Sequence, residues 1–124
     1  MNYLIVEDDP NLRMLWRTIL CERGYTVTEA TTVAAAEKNL TESAFDAMIL
    51  DLYLGRENGV SLMRLAEARN PGCKIIIVTG SSQYQRQDLL NMSPLVLSVH
   101  WKPVDIEAIL ATCDQIEAMV EMHG

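Results

Sequence analysis

The sequence predicts an α/β fold, a doubly wound five-stranded parallel sheet of (βα)5 organisation. Three observations predict it. Short apolar runs alternate with stretches of helical periodicity, the pattern of strands buried on both faces and joined by crossover helices. The runs end in polar residues of distinct chemistry. Tyr3-Leu4-Ile5-Val6 enters Glu7-Asp8-Asp9, and Ala47-Met48-Ile49-Leu50 enters Asp51. Lys74-Ile75-Ile76-Ile77-Val78 enters Thr79-Gly80, and Leu95 to Val99 leads to Lys102-Pro103. Finally, a chain of 124 residues, 49% hydrophobic and 22% charged, suits one soluble domain with a real core and is too short for two.

The first strand spans about Asn2 to Val6. Pro10 fits the first turn of the helix that follows, with Asp9 as N-cap. Leu12, Leu15, Trp16, Ile19 and Leu20 form one apolar stripe, Met14 lies off it, and Gly24 ends the helix. Tyr25 to Ala30 alternates as a second strand. Thr32 caps a short helix through about Leu40. Ala44 to Leu50 contains the third strand, Leu52 to Glu57 reads as a loop, and Asn58-Gly59 opens a helix carrying Val60, Leu62, Met63 and Ala66. Asn70-Pro71-Gly72 is a turn before the fourth strand, Lys74 to Val78. A fourth helix is expected from Gln83 to Met92, with Leu89, Leu90 and Met92 as its only apolar anchors. The fifth strand runs from Leu95 to His100. The last helix starts near Asp105, with Glu107 favourable in its first turn and Ile106, Ile109, Leu110, Cys113, Ile116 and Val120 as its buried stripe. Right-handed crossovers then give the flavodoxin-like strand order 2-1-3-4-5, which places ligands at the carboxyl ends of the strands.

The net charge of −7 disfavours direct nucleic-acid binding, which wants a basic face. Cys21, Cys73 and Cys113 are widely spaced, with no zinc motif, and read as reduced thiols of a cytoplasmic protein. No basic-then-apolar leader opens the chain, and no apolar run approaches transmembrane length, so no membrane association is expected.

Glu7, Asp8 and Asp51 belong to neighbouring strand ends, so their carboxylates should converge. Two unit charges about 4 Å apart repel by roughly 4 kcal/mol at an effective dielectric near 20. Such a cluster calls for a cation or for proton uptake. Oxygen-only ligands favour a hard ion, and Mg²⁺ fits best. A carboxylate in that setting can attack a phosphoryl group to give an acyl phosphate, which makes Asp51 the expected nucleophile. Thr79 can donate a hydroxyl hydrogen bond to that group, and Lys102 can neutralise its charge.

These motifs, in this order and at these intervals, resemble a response-regulator receiver domain of two-component signalling across the whole chain, residues 1–124. They are Ile5-Val6-Glu7-Asp8-Asp9, Asp51-Leu52-Tyr53-Leu54 followed by Gly59, Val78-Thr79-Gly80, and Lys102-Pro103. The resemblance implies Mg²⁺ on Glu7 (often through water), Asp8, Asp51 and the backbone carbonyl of Tyr53. It implies phosphorylation of Asp51 by a sensor histidine kinase or a His phosphotransfer protein, with Thr79 and Lys102 as switch and charge partners. It also implies a cis peptide before Pro103, and a module that is not a turnover enzyme on an external substrate. The face of the fourth helix, fifth strand and fifth helix would serve for a homodimer or for output. Docking of the kinase would use the first helix, where an exposed Met14 stands beside Arg13 and Arg17, and the loop between the fifth strand and fifth helix.

The sequence departs from the family pattern at three places. Val99 stands where an aromatic is usual, three residues before the lysine, while Trp101 directly precedes Lys102. Gly55 replaces the usual Pro and should loosen its loop. Met92-Ser93-Pro94 replaces the usual Gly-Ala pair. Tyr53 and Ser81 stand two residues beyond Asp51 and Thr79, positions that the resemblance implies flank the path of the hydrolytic water, so a bulky Tyr53 should shield an acyl phosphate. Met1 stands just before the first strand, as expected of an N-terminal receiver, either standing alone or preceding an output domain. The alternatives are a phosphorylation-independent receiver-like interaction module, which the complete acid–Thr–Lys set argues against and Val99 keeps open, and a Mg²⁺-dependent phosphohydrolase, disfavoured because no cap insertion is found. A flavodoxin-like cofactor binder would need hydroxyls rather than acids after the first strand.

Overall fold

The computed structural model describes residues 1–123. The elements, in chain order, are β1 (Asn2–Val6), α1 (Pro10–Glu22), β2 (Thr26–Ala30), α2 (Val33–Glu42), β3 (Ala47–Asp51), β4 (Tyr53–Leu54), β5 (Glu57–Asn58), α3 (Val60–Arg69), β6 (Lys74–Thr79), α4 (Arg86–Leu90), β7 (Val96–Trp101) and α5 (Ile106–His123). The main sheet is five-stranded in the order β2-β1-β3-β6-β7, all parallel. This is the flavodoxin-like order expected from the sequence.

Each apolar run splits its side chains between two layers, as the two-residue period of a strand requires. Leu4, Val6, Met48, Leu50, Ile75 and Ile77 pack with Leu40, Leu62 and Met63 on the α2–α3 side. Tyr3, Ile5, Ile49, Ile76 and Val78 pack with Trp16, Leu20, Ile109, Cys113 and Ile116 on the α1–α5 side. Each such fully buried aliphatic contributes about 1.5–3 kcal/mol relative to exposure. Side-chain contacts join the two helices of the second layer to its edge. Tyr3 and Tyr25 stack with centroids 5.2 Å apart, the Tyr25 hydroxyl donates to Glu117 at 2.7 Å, and Arg23 pairs with Asp114.

The helix starts follow the expected capping residues. Asp9 Oδ1 accepts the N–H of Asn11 at 2.8 Å, Thr32 Oγ1 accepts that of Ala35 at 3.1 Å, and Asp105 Oδ1 accepts that of Glu107 at 3.0 Å. Gly59 precedes α3 because a Cβ there would come within 3.1 Å of Leu50 Cδ1 and 3.2 Å of the Asp51 carbonyl.

Three expectations are corrected. The segment Leu52 to Glu57 is not a plain loop. Tyr53 and Leu54 pair antiparallel with Asn58 and Glu57, turning at Gly55 with φ +62°. The fourth helix is only Arg86–Leu90, shorter than the expected Gln83 to Met92. Ser81 Oγ accepts the Gln83 N–H at 3.1 Å and holds that stretch in a turn, while Asp88 accepts the Gln85 N–H at 3.1 Å and sets the helix start. At the other end, Pro94 disfavours helical backbone at Ser93. Val120 is 37% exposed, although it continues the buried stripe of α5. Eighteen helical residues reach about 27 Å, whereas a six-residue strand reaches about 20 Å, so the end of α5 overruns the sheet.

Candidate functional site

The parallel register brings the polar strand ends together at one edge. Val6 pairs with Leu50, and Asp51 with Val78, so Glu7, Asp51 and Thr79 leave adjacent strands at nearly one level. Thr79 pairs with Trp101, which places Lys102 immediately beyond. The Lys102 N–H donates to the Thr79 carbonyl at 2.9 Å, and the Lys102-Pro103 peptide is cis.

Glu7 and Asp51 are buried, Asp8 is exposed, and one carboxylate oxygen of each lies within 4.8 Å of the others. Lys102 Nζ donates to Asp51 Oδ2 at 2.9 Å and lies 3.3 Å from Glu7 Oε1. The second Asp51 oxygen accepts the Tyr53 N–H at 3.0 Å, and Asp8 Oδ2 accepts the Gly55 N–H at 2.9 Å. Glu7 Oε2 accepts the Asp9 N–H at 3.3 Å. Despite the nearby lysine, Glu7 Oε1 is buried and accepts no hydrogen bond among the described residues. Burial first, and then the close carboxylate of Asp51, push the Glu7 carboxyl up to about 7. For Lys102, burial works against the charge. The hydrogen bond and charge of Asp51, joined by Glu7, outweigh it and hold the ammonium above its ordinary range. The donor set is oxygen only, and its buried orphan oxygen lacks a positive partner in hydrogen-bonding geometry. Both features fit a hard divalent cation.

Thr79 is fully buried, and its Oγ1 accepts the Ser81 N–H at 3.1 Å. The Ser81 carbonyl in turn accepts the Trp101 indole N–H at 3.0 Å. The Arg86 guanidinium lies over the Trp101 ring at 5.0 Å and donates to the Val99 carbonyl at 2.5 Å. Val99 is fully buried. Trp101 is therefore half-buried and tied on both sides. Burial and Arg86, opposed by Asp105, lower the pKa of neighbouring His100.

Gly55 does not simply loosen its loop. A proline could adopt neither its φ of +62° nor its hydrogen bond to Asp8. Tyr53, half-buried, donates its hydroxyl to Gln83 Oε1 at 2.8 Å and bridges the loops after β3 and β6. Sequence reasoning missed Gln83 and Arg86, because neither stands in a motif. Met14 is 68% exposed, as expected. Arg13 beside it is tied to backbone and donates to the carbonyls of Glu7 and Asp8 at 3.3 and 3.4 Å.

An acid cluster, a threonine and a lysine at the carboxyl edge of a doubly wound sheet define the class of protein. The model of the response regulator receiver domain family matches residues 3–114, and the chain belongs to that family. It is a receiver domain of a two-component response regulator. The alginate biosynthesis transcriptional regulatory protein AlgB of Pseudomonas putida is 34% identical over 79 residues, 64% of this chain but only 18% of the relative. The response regulator receiver protein CpdR of Brucella abortus is 32% identical over 62% of this chain and 64% of its own length. The chain thus spans less than a fifth of the first of these relatives and just under two thirds of the second. A CheY-like response regulator receiver domain protein of Methanospirillum hungatei superposes with a TM-score of 0.85 at 26% identity, covering 99% of this chain and 98% of that one. The response regulator TrrA of Thermotoga maritima, solved with Mg²⁺-BeF, gives a TM-score of 0.78 at 26% identity over 93% and 97%. A Burkholderia pseudomallei response regulator carrying a phosphorylated aspartic acid and a calcium ion gives 0.74 at 25% over 99% and 74%. Among the described residues no helix is long and apolar enough to cross a membrane.

Proposed function

We propose that residues 1–124 act as one receiver domain that accepts a phosphoryl group on Asp51. One observation carries the reading: Lys102 binds Asp51 at 2.9 Å beside two further carboxylates at the same edge. Glu7, Asp8, Asp51 and the Tyr53 backbone carbonyl are the residues that would hold Mg²⁺. When bound, that ion supplies charge neutralisation and orientation for phosphoryl oxygens. The chain's own groups do the rest. An Asp51 carboxylate oxygen attacks phosphorus, the bond from phosphorus to the donor nitrogen breaks, and the imidazole leaves with the electron pair. Lys102 balances the charge that accumulates, and the Thr79 hydroxyl, at the end of the neighbouring strand, would donate a hydrogen bond to it. The Ser81–Trp101–Arg86 contacts lead from that threonine to α4 and supply a side-chain route where Val99 has none.

The donor would be a sensor histidine kinase or a His phosphotransfer protein, docking on α1 around Met14. The α4–β7–α5 face would serve a homodimer or an output partner. The domain would act in the cytoplasm, without direct nucleic-acid or membrane contact and without turnover of an external substrate.

Intact mass after incubation with Mg²⁺ and acetyl phosphate tests the central claim. Wild type should gain one phosphoryl group only with Mg²⁺, and Asp51→Asn should gain none. Absence of the adduct, without phosphate release in the same tube, would favour the phosphorylation-independent reading. Tyr53 covers the acceptor loop through Gln83, so Tyr53→Ala should shorten the adduct's half-life severalfold. An equal half-life would show that the ring does not shield it.

A further inference from the structure

Arg13 stands in the first turn of α1, where its backbone N–H closes on the Asp9 carbonyl at 3.0 Å. Its side chain runs back over the β1–α1 loop rather than out to solvent, and is only 23% exposed. The loop begins where the sheet ladder ends. The Glu7 N–H still bonds the Ala30 carbonyl of β2, at 3.1 Å. The carbonyls of Glu7 and Asp8 need partners beyond the ladder. Arg13 Nη1 supplies both, at 3.3 and 3.4 Å. The other side of the guanidinium rests against Glu29 of β2, with Nε 3.5 Å from its carboxylate. Glu29 is itself held by Arg17 at 2.9 Å. The planar fork is thus fixed between a neighbouring strand and the backbone that presents two of the three clustered carboxylates.

We propose that Arg13 is a positioning residue of the divalent-cation site: by clamping the Glu7 and Asp8 carbonyls it sets the loop that aims their carboxylates. The proposal rests on the metal reading given above. Two effects of Arg13 oppose each other. Its positive charge disfavours a second cation nearby, while its fork prearranges the ligands before the cation arrives. Arg13→Lys separates them, because it keeps the charge and loses the fork.

The experiment is a Mg²⁺ titration of the full chain followed by the amide resonances of Asp9 and Gly55, whose N–H groups donate to the Glu7 and Asp8 carboxylates. Melting temperature in EDTA reports the fold separately. Arg13→Lys should weaken Mg²⁺ binding by about three- to tenfold, the range expected for loss of one or two modest hydrogen bonds. Arg13→Gln should fall between Arg13→Lys and wild type, because it also relieves repulsion. Arg17→Gln, which loses only Glu29, should stay within about twofold of wild type. Arg13→Lys binding Mg²⁺ like wild type overturns the proposal, as does an equal loss in Arg17→Gln. Should Arg13→Lys not fold, Arg13→Gln decides, and binding at or above wild-type affinity overturns the proposal. Failure of the metal reading itself has a different signature, in which wild type shows no Mg²⁺-dependent shifts at all. Kinase docking on α1 is better probed by Met14→Asp alone, because any change at Arg13 also disturbs the acid cluster.

Discussion

The acid edge and the α4–β7 flank of this domain are built in different ways. At the acid edge, backbone groups hold the functional side chains. The Asp51, Asp8 and Glu7 carboxylates accept the N–H groups of Tyr53, Gly55 and Asp9, all on the short segments that follow buried strands β3 and β1. On the flank, α4 is a five-residue helix with one fully buried side chain, Leu89. Its link to the site runs through side chains, from Arg86 over Trp101 to the Ser81 carbonyl. Backbone anchoring prearranges charge at low cost in entropy, because strand packing has already fixed the loop ends. Side-chain anchoring can be remade, as the proposed route from Thr79 to α4 would require.

The sharpest test of the first construction is pH. The Glu7 carboxyl is raised in the folded protein, so the folded state holds that proton more tightly than the unfolded chain. Its contribution to stability is present below the ordinary carboxylate range and is lost as pH rises through about 7. Urea unfolding in EDTA should therefore show a stability loss between pH 5 and 8 that Glu7→Gln lacks. His100 acts in the opposite sense, because its lowered pKa costs stability as pH falls below its ordinary range. An identical pH slope in Glu7→Gln would remove the assignment to Glu7.

Breaking the backbone anchoring directly comes next. Gly55→Pro restores the residue usual in the family but forbids φ +62° and deletes the N–H that holds Asp8. It should cost about 1–3 kcal/mol in denaturant unfolding and weaken Mg²⁺ binding. A stable variant with unchanged Mg²⁺ affinity would mean that the hairpin does not position Asp8.

The smallest effect is expected on the flank. Trp101→Phe keeps a ring under Arg86 and removes only the indole N–H. Loss of one half-buried hydrogen bond should cost about 1 kcal/mol. Its interest lies in transmission. With the β7 end freed from Ser81, Mg²⁺ and beryllofluoride should shift the α4 amides less than in wild type, while the acyl phosphate still forms. Unchanged α4 shifts would place the route elsewhere.

Much of this was legible in the residues alone. The apolar runs before Glu7, Asp51, Thr79 and Lys102 name the strands, because a parallel strand buried on both faces has no other composition. The polar residue after each run names the site, because a parallel sheet gathers its strand ends at one edge. Three readings failed where local signals are weak or absent, the first being the loop from Leu52 to Glu57, which pairs as the β4–β5 hairpin. The Gln83 to Met92 helix shrank because a turn at Ser81 and the disfavoured backbone before Pro94 took its ends. Val120 is exposed because periodicity marks the face of a helix and not where the sheet beneath it stops.

What the sequence by itself determined is the order of the five main-sheet strands and the helices between them, which follows from composition and period along the chain, and the family, which follows from its motifs and their intervals. Only the tertiary structure decided which partners the site residues take. That Arg13 clamps two carbonyls, that Gly55 anchors Asp8 across forty-seven residues, and that Trp101 ties Ser81 to Arg86 are contacts between distant segments. Their distances are set by how the loops pack at the sheet edge, and no local pattern in the chain encodes that packing.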